Sequence, residues 1–142
     1  MTRVLFVLVS LFIFAYAQES ALDVIKAGVR AYQENSLREQ SVLIAKLENL
    51  AYKEHNKDAA FLLATAYKNK VLESSHKNNA LKYYRLAAKE NDHDAELMIG
   101  WLYYEGRVYL KADTAKAKYW FKKASDAGVI EATQMLNMLE NL

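Results

Sequence analysis

Aromatic side chains are the strongest candidates for binding chemistry in this sequence. Trp101 and Tyr104 lie three residues apart, so on a helix they share one face. Exposed aromatic residues at this spacing can anchor a partner protein, because large rings at the centre of an interface carry much of the binding free energy. A second aromatic cluster, Tyr119-Trp120-Phe121, follows in the same region.

No motif for catalysis or metal binding accompanies these aromatic residues. The chain has no cysteine, which excludes disulfides, thiolate ligands and cysteine nucleophiles. The histidines, His55, His76 and His93, are not paired at i, i+4, so we interpret them as solvated loop residues. No nucleophile-elbow serine, glycine-rich phosphate loop or paired carboxylates on an apolar wall is present. We therefore predict that the protein is not an enzyme and has no cofactor and no metal site.

The charge balance argues against nucleic acid as a partner. With 19 basic and 17 acidic residues the formal net charge is +2, so there is no strong positive field. One local basic run consists of Lys116, Lys118, Lys122 and Lys123. We interpret this run as a solvated helix face, since two nearby aspartates partly offset it.

The first 17 residues differ from the rest of the chain and are typical of a secretory signal. Arg3 is their only charge, an apolar run follows, and Ala15 and Ala17 form the small-x-small pattern of a signal peptidase site. We predict cleavage before Gln18 and export, to the periplasm or alternatively outside the cell. An uncleaved anchor is the alternative, but the apolar run 4–17 is short of the roughly 20 residues that span a bilayer. We therefore expect no stable membrane insertion after cleavage.

The elements that position the candidate residues follow from an internal repeat. Residues 58–67 match residues 94–103 at an offset of 36, and residues 80–87 match residues 117–124 at an offset of 37. Each copy contains two apolar stripes with 3–4 spacing, which predicts two helices per copy. The chain contains no proline, as expected for an almost wholly helical protein. Because one hairpin cannot bury its stripe alone, the copies are predicted to stack as an α-solenoid.

We predict an all-α superhelix of about three helical hairpins with a C-terminal capping helix. The predicted helices span about 19–34, 38–54, 58–70, 78–90, 94–105, 114–127 and 130–140. Residues 18–142 would form one domain, with a degenerate repeat at 18–57, repeats at 58–93 and 94–129, and a cap at 130–142. Asp58 and Asp94 are predicted N-caps, and Gly106 and Gly128 are predicted to end helices in the left-handed conformation.

The second copy resembles the Sel-one-like repeat family, a relative of the tetratricopeptide repeat. The family pattern begins A-x3-L-G-x2-Y-x2-G, and the chain shows Ala95, Ile99, Gly100, Tyr103 and Gly106 at these places. After a loop with an acidic residue, the pattern continues K-A-x2-W-[FY]-x-K-A and closes with a glycine. The chain matches it with Asp113, Lys116, Ala117, Trp120, Phe121, Lys123, Ala124 and Gly128. The preceding copy matches less well, with Lys70 and Asn91 in place of the two glycines.

Most of the small and aromatic residues are predicted to pack the repeats together. They fall on repeat-equivalent positions: Ala59, Ala64, Tyr67, Ala80, Tyr84, Ala87, Ala95, Gly100, Tyr103, Gly106, Ala117, Trp120, Phe121, Ala124 and Gly128. Trp101 and Tyr104 lie off this stripe. In a tetratricopeptide-like hairpin their slots face the concave groove, and Thr65 and Lys68 occupy the same slots one repeat earlier. The predicted groove set is therefore Trp101, Tyr104, Leu97, Phe61, Thr65, Lys68 and Tyr32. The alternative is that these residues pad neighbouring hairpins.

The resemblance implies a protein-binding repeat array that has no catalytic residues of its own. Such arrays occur in exported bacterial proteins, often as adaptors or regulators. We therefore expect a periplasmic adaptor or regulator that binds a protein partner, whose identity the sequence does not name. An immunity protein that neutralises a secreted antibacterial toxin is an alternative, and a cell-envelope hydrolase is a less favoured one.

Overall fold

A computed structural model describes residues 20–72, 79–106 and 111–141. Within these residues the chain forms seven α-helices and one short 3₁₀ helix, and it forms no strand, so the all-α prediction is confirmed. The helices are α1 (Ala21–Gln33), α2 (Ser41–Lys53), α3 (Lys57–Lys68), α4 (Asn79–Lys89), α5 (His93–Glu105), α6 (Thr114–Asp126) and α7 (Ile130–Glu140). The 3₁₀ helix, Leu37–Glu39, precedes α2. The predicted signal segment, with Ala15, Ala17 and Gln18, and also His76, lie outside the described residues.

Helices α1, α3, α5 and α6 begin at side-chain caps. The caps of α3 and α5 are not the two aspartates predicted from the sequence. Asn56 and Asp92 have extended backbone, and their side-chain oxygens accept from the backbone N–H of Ala59 at 3.0 Å and of Ala95 at 2.8 Å. The prediction of Asp58 and Asp94 as N-caps is therefore wrong by two residues, because both already lie inside the first helical turn. There their carboxylates still interact favourably with the positive end of the helix dipole.

Residues with left-handed backbone end the helices at repeat-equivalent positions. After the second helix of each hairpin they are His55, Asn91 and Gly128, with φ of 53°, 59° and 92°. After the first helix of the later hairpins they are Lys70 and Gly106, with φ of 59° and 66°. The two glycines end helices as predicted, and the slots without glycine keep the same backbone. His55 precedes Asn91 by 36 residues, so the repeat register extends into the degenerate first copy.

Consecutive helices pack as hairpins, which in turn stack into an α-solenoid. We call α1, α3, α5 and α7 the A helices, and α2, α4 and α6 the B helices. The closest packing is within the hairpins α3–α4 and α5–α6, while α2 on α3, α4 on α5 and α6 on α7 join the hairpins. The largest fully buried side chains come from all three hairpins: Leu37, Leu47, Leu63, Tyr84, Ile99, Leu102 and Phe121. One continuous core therefore holds the A helices in register.

Small residues let the helices cross closely at one slot of α1, α3 and α5. A Cβ at Gly100 would lie 2.6 Å from the Phe121 ring, and a Cβ at Gly28 would lie 2.7 Å from Leu62 Cδ2. Ala64, which lies 36 residues from each of these glycines, is fully buried. Because an added methyl group would overlap fully buried atoms, the glycine at position 100 is required by packing.

Candidate functional site

An open pocket of about 310 Å³ lies between α1, α3 and the N-terminal end of α5. Its lining combines four apolar residues, one threonine and three aspartates: Ile25, Val29, Phe61, Leu62, Thr65, Asp58, Asp92 and Asp94. The apolar side chains come from two A helices, and the aspartates come from the start of α3 and of α5. The pocket therefore has an apolar lining and an acidic rim.

The pocket occupies slots that recur along the chain. Ile25 and Phe61 are 36 residues apart, as are Val29 and Thr65, and the next members of these two series are Leu97 and Trp101. We call the surface formed by these slots the A-helix surface. It contains two of the three series of slots that the sequence predicted to face a groove, and the third series holds Tyr32, Lys68 and Tyr104. Ile25 was missed by sequence reasoning, although its position 36 residues before Phe61 is a signal that could have found it.

The acidic rim is only partly neutralised within the protein. Asp92 accepts the backbone N–H of Ala95 through Oδ1. Asp58 and Asp94 have no hydrogen bond or ion pair in the described part of the chain, and neither is buried. The rim therefore presents two unpaired carboxylates, and a third that caps a helix, beside an apolar lining.

A neutral hydrogen bond links the pocket to the core. The hydroxyl groups of Thr65 and Tyr84 lie 3.1 Å apart, and Tyr84 is fully buried. Burial raises the pKa of Tyr84 to about 12, so its phenol stays protonated at neutral pH. Phe61 packs edge-on against the same ring, with centroids 5.4 Å apart. The lining residues Thr65 and Phe61 are thus both in contact with one fully buried core residue.

Trp101 and Tyr104 lie together but do not line the pocket. Their rings pack edge-to-face at 5.7 Å, and Trp101 packs in the same way on Phe121, also at 5.7 Å. The Trp101 indole Nε1 donates to Glu131 Oε1 at 3.0 Å, which ties the ring to α7. Both aromatic residues are partly buried. The structure therefore shows a partly covered aromatic pair further along the A-helix surface.

The remaining predicted groove residues have different surroundings. Asn69 donates to the Tyr32 hydroxyl at 2.6 Å, which joins the ends of α1 and α3, and Lys68 lies half-buried in the last turn of α3. Leu97 is only 7% exposed, because it is packed in the core with the other buried residues. Its assignment to the groove is therefore corrected: it offers a partner little surface.

The residues assigned to packing are mostly, but not uniformly, buried. The seven alanines of that set are fully buried, as are Tyr84 and Phe121, and Tyr103 is 6% exposed. Tyr67 and Trp120 are only partly buried. Tyr67 stacks in parallel on Tyr83 at 5.6 Å, and the Lys123 ammonium lies 5.1 Å from the centroid of Trp120.

A buried carboxylate was missed by sequence reasoning. Glu96 is 3% exposed, and its two oxygens contact Lys123 Nζ at 2.8 Å and His93 Nδ1 at 2.9 Å. The hydrogen bond to Glu96 raises the pKa of Lys123. Interpreting Lys123 and His93 as purely solvated residues is therefore wrong, because both satisfy a carboxylate that has left water. The only sequence signal was a glutamate next to Ala95, an alanine at a repeat-equivalent position.

The described residues contain neither a cluster suited to a metal ion nor a helix suited to crossing a membrane. Residues 20–72, 79–106 and 111–141 contain no group of three or more histidines, aspartates and glutamates placed to hold a metal ion. None of the helices described in the structure is both long enough and apolar enough to cross a bilayer.

Comparison with known protein families gives a match to the two central hairpins. The family model described as Sel1 repeat matches residues 57–92 and residues 93–129. These matches coincide with α3–α4 and α5–α6, and together they cover slightly more than half of the chain. A search of curated proteins finds no match to the chain.

Proposed function

The chain belongs to the Sel1 repeat family, and from this membership we propose that it is an exported adaptor or regulator that binds a partner protein through its A-helix surface. Sel1 repeats generally mediate protein–protein interaction, and proteins built from them are typically non-catalytic scaffolds. The proposal adds the surface, the compartment and the regulatory role to this general property.

The pocket is the observation that carries the proposal. It opens on the A helices, has an apolar lining of Ile25, Val29, Phe61 and Leu62, and is rimmed by charge. Its volume of about 310 Å³ suits a single anchoring side chain better than a large ligand. Interfaces commonly draw most of their affinity from such central apolar anchors surrounded by polar groups. The partly buried pair Trp101 and Tyr104 would extend the contact along the same surface.

The chemistry of the lining favours binding over catalysis. Its residues include no histidine, serine, cysteine or lysine, and its only hydroxyl, on Thr65, lies within hydrogen-bond distance of Tyr84. A nucleophile needs an adjacent base that is itself oriented by a third group, and the lining supplies no such arrangement. We therefore favour recognition of a partner over turnover of a substrate.

Export is the second part of the proposal, and it is tested separately. The chain carrying a C-terminal tag should be recovered from the periplasmic fraction with Gln18 as its first residue, as found by intact mass and N-terminal sequencing. Recovery of an unprocessed chain from the membrane fraction would contradict cleavage and would favour the anchor alternative.

Site-specific photo-crosslinking in cells tests the surface. Val29 is 39% exposed and lines the pocket, whereas Val42, which is 69% exposed, lies on α2 outside the pocket lining. A photoreactive residue at position 29 should give a discrete adduct with a partner, and the same residue at position 42 should not. Adducts only from position 42 would overturn the surface assignment. An adduct with a secreted toxin, together with protection of cells by this chain alone, would change the role from adaptor to immunity protein.

A further inference from the structure

The slots that form the pocket are repeated one repeat later, where the chain itself fills them. Thr65 of the pocket corresponds to Trp101, 36 residues on, and Asp94 of the rim corresponds to Glu131, 37 residues on. In that later copy the Trp101 indole N–H donates to the Glu131 carboxylate at 3.0 Å, and the indole packs on a buried ring. The molecule therefore shows what these slots can hold: a flat side chain whose N–H meets a carboxylate.

The pocket has a carboxylate equivalent to Glu131, that of Asp94, but no indole N–H to pair with it. Thr65 is much smaller than tryptophan, which leaves space over Phe61, and Asp94 makes no hydrogen bond within the described part of the chain. Two further carboxylates, those of Asp58 and Asp92, lie around the same opening. An occupant that pairs with this rim must therefore carry N–H donors and positive charge as well as an apolar body.

We propose that the pocket receives an arginine side chain from a segment of the partner protein. The guanidinium group is planar and positively charged, and its N–H donors match the geometry of carboxylates. Its methylene stem can lie against an apolar lining such as Ile25 and Phe61 while the head remains at the rim. Lysine would supply the charge without the planar fork, and tryptophan would leave three carboxylates unneutralised. This inference rests on the proposed function, because it names the group that enters the same pocket.

Selection from a library of displayed random peptides on the purified full chain tests the proposal without a known partner. Enriched peptides should contain an arginine next to apolar residues. For one enriched peptide, fluorescence anisotropy should show that replacing its arginine by glutamine raises the dissociation constant about tenfold or more. Replacing the arginine by lysine should cost less, and binding should weaken as the salt concentration rises.

Two protein variants with matched controls connect that binding to the pocket. Thr65→Trp places in the pocket the residue that the later repeat has, and it should weaken the peptide about tenfold or more. Its control is Tyr84→Phe, which also abolishes the hydrogen bond between positions 65 and 84 but removes the hydroxyl group on the core side. This control should leave peptide binding intact. Asp58→Asn with Asp94→Asn should weaken binding roughly threefold to tenfold. Asp126→Asn, which neutralises one carboxylate outside the pocket, should have no effect.

The outcomes separate this inference from the proposed function. If Thr65→Trp blocks the enriched peptides but these lack arginine, or the aspartate variants bind normally, the arginine assignment is wrong and the surface stands. If the enriched peptides bind Thr65→Trp as tightly as wild type, both the inference and the proposed surface fail. A selection that enriches no peptide also overturns the arginine assignment, and the crosslinking experiment then decides the surface alone.

Discussion

The hairpins α3–α4 and α5–α6 are two copies of one repeat that fill equivalent positions with different chemistry. In the first, Thr65 and Tyr84 place their hydroxyl groups 3.1 Å apart, and the space above them is an open pocket. In the second, Trp101 and Phe121 occupy the equivalent positions and pack ring against ring. The backbone register is shared, so the open and the filled part of the A-helix surface differ in their side chains and in the contacts these make with the next helix.

A second pair of positions shows the same contrast in the core. Ala60 and Leu86 of the first hairpin correspond to Glu96 and Lys123 of the second. In the second hairpin the buried carboxylate of Glu96 forms an ion pair with the Lys123 ammonium at 2.8 Å. A solenoid repeat therefore tolerates an apolar pair or an ionic pair at one place, provided that every buried polar atom is satisfied. In the described residues no buried side-chain nitrogen or oxygen lacks a partner.

The largest expected effect comes from Phe121, whose ring on α6 packs against α5 of the same hairpin. Phe121→Ala should lower the free energy of unfolding by about 3–5 kcal/mol, because Phe121 is fully buried and packs on Gly100 and Trp101. Trp120→Ala should cost less, about 1–2 kcal/mol, since Trp120 is only partly buried. Denaturant unfolding measures both. Equal losses would mean that the exposed side of Trp120 is covered in solution.

The ionic pair gives the next effect. Lys123→Met should cost about 2 kcal/mol, because it leaves the buried carboxylate of Glu96 with His93 as its remaining side-chain partner. The double variant Glu96→Ala, Lys123→Leu recreates the pair found in the first hairpin and should unfold within about 1 kcal/mol of wild type. If the double variant is no more stable than Lys123→Met, the two hairpins do not tolerate the same packing at this position.

Opposite substitutions at the close-crossing slot, glycine to alanine in one hairpin and alanine to glycine in the other, should both destabilise the protein. Gly100→Ala should destabilise by about 1–3 kcal/mol, because the new methyl group would lie 2.6 Å from the Phe121 ring. Ala64→Gly in the equivalent slot removes a methyl group and should cost about 1 kcal/mol through helix propensity. Thermal unfolding compares the two. A neutral Gly100→Ala would show that the Phe121 ring can move aside.

The smallest effect is a gain. Lys70 has φ of 59° in the slot that glycine fills in the second hairpin. Lys70→Gly should therefore raise the free energy of unfolding by about 0.5–1 kcal/mol, since glycine adopts this conformation without steric cost. Gly106→Ala is the reciprocal change and should destabilise, as φ is 66° there and the Cβ would meet the backbone of Ala112. A destabilised Lys70→Gly would indicate that the lysine side chain contributes more than its backbone strain costs.

The fold was predictable from the sequence because the patterns that specify each helix lie within that helix and recur in each repeat. Apolar stripes at 3–4 spacing and the offset of 36 to 37 residues gave seven helices within a few residues of their observed ends. The capping residues were harder to predict from the sequence. Asp58 and Asp94 are identical in the two copies, whereas the true caps, Asn56 and Asp92, differ in type. Which residue caps a helix depends on where the backbone leaves the extended conformation, and identity between copies does not report that.

The candidate site was predictable only in part. The repeat register placed Phe61 and Thr65 on the A-helix surface, and both line the pocket. The register did not predict that Trp101 would bond to Glu131, since that contact joins two helices 30 residues apart and requires the position of α7. The burial of Glu96 likewise depends on Lys123 in the following helix. Contacts between helices decide which slots stay open, and a pattern within one helix does not contain them.

The most direct test of the central claim combines the crosslinking position with the variant that fills the pocket. A photoreactive residue at position 29 should capture a partner in cells when position 65 is threonine. The adduct should disappear when Thr65→Trp is introduced into the same chain, while thermal unfolding shows that the variant is folded. An adduct that persists at the same yield in the folded Thr65→Trp chain would contradict the claim that the open pocket of the first hairpin is where the partner binds.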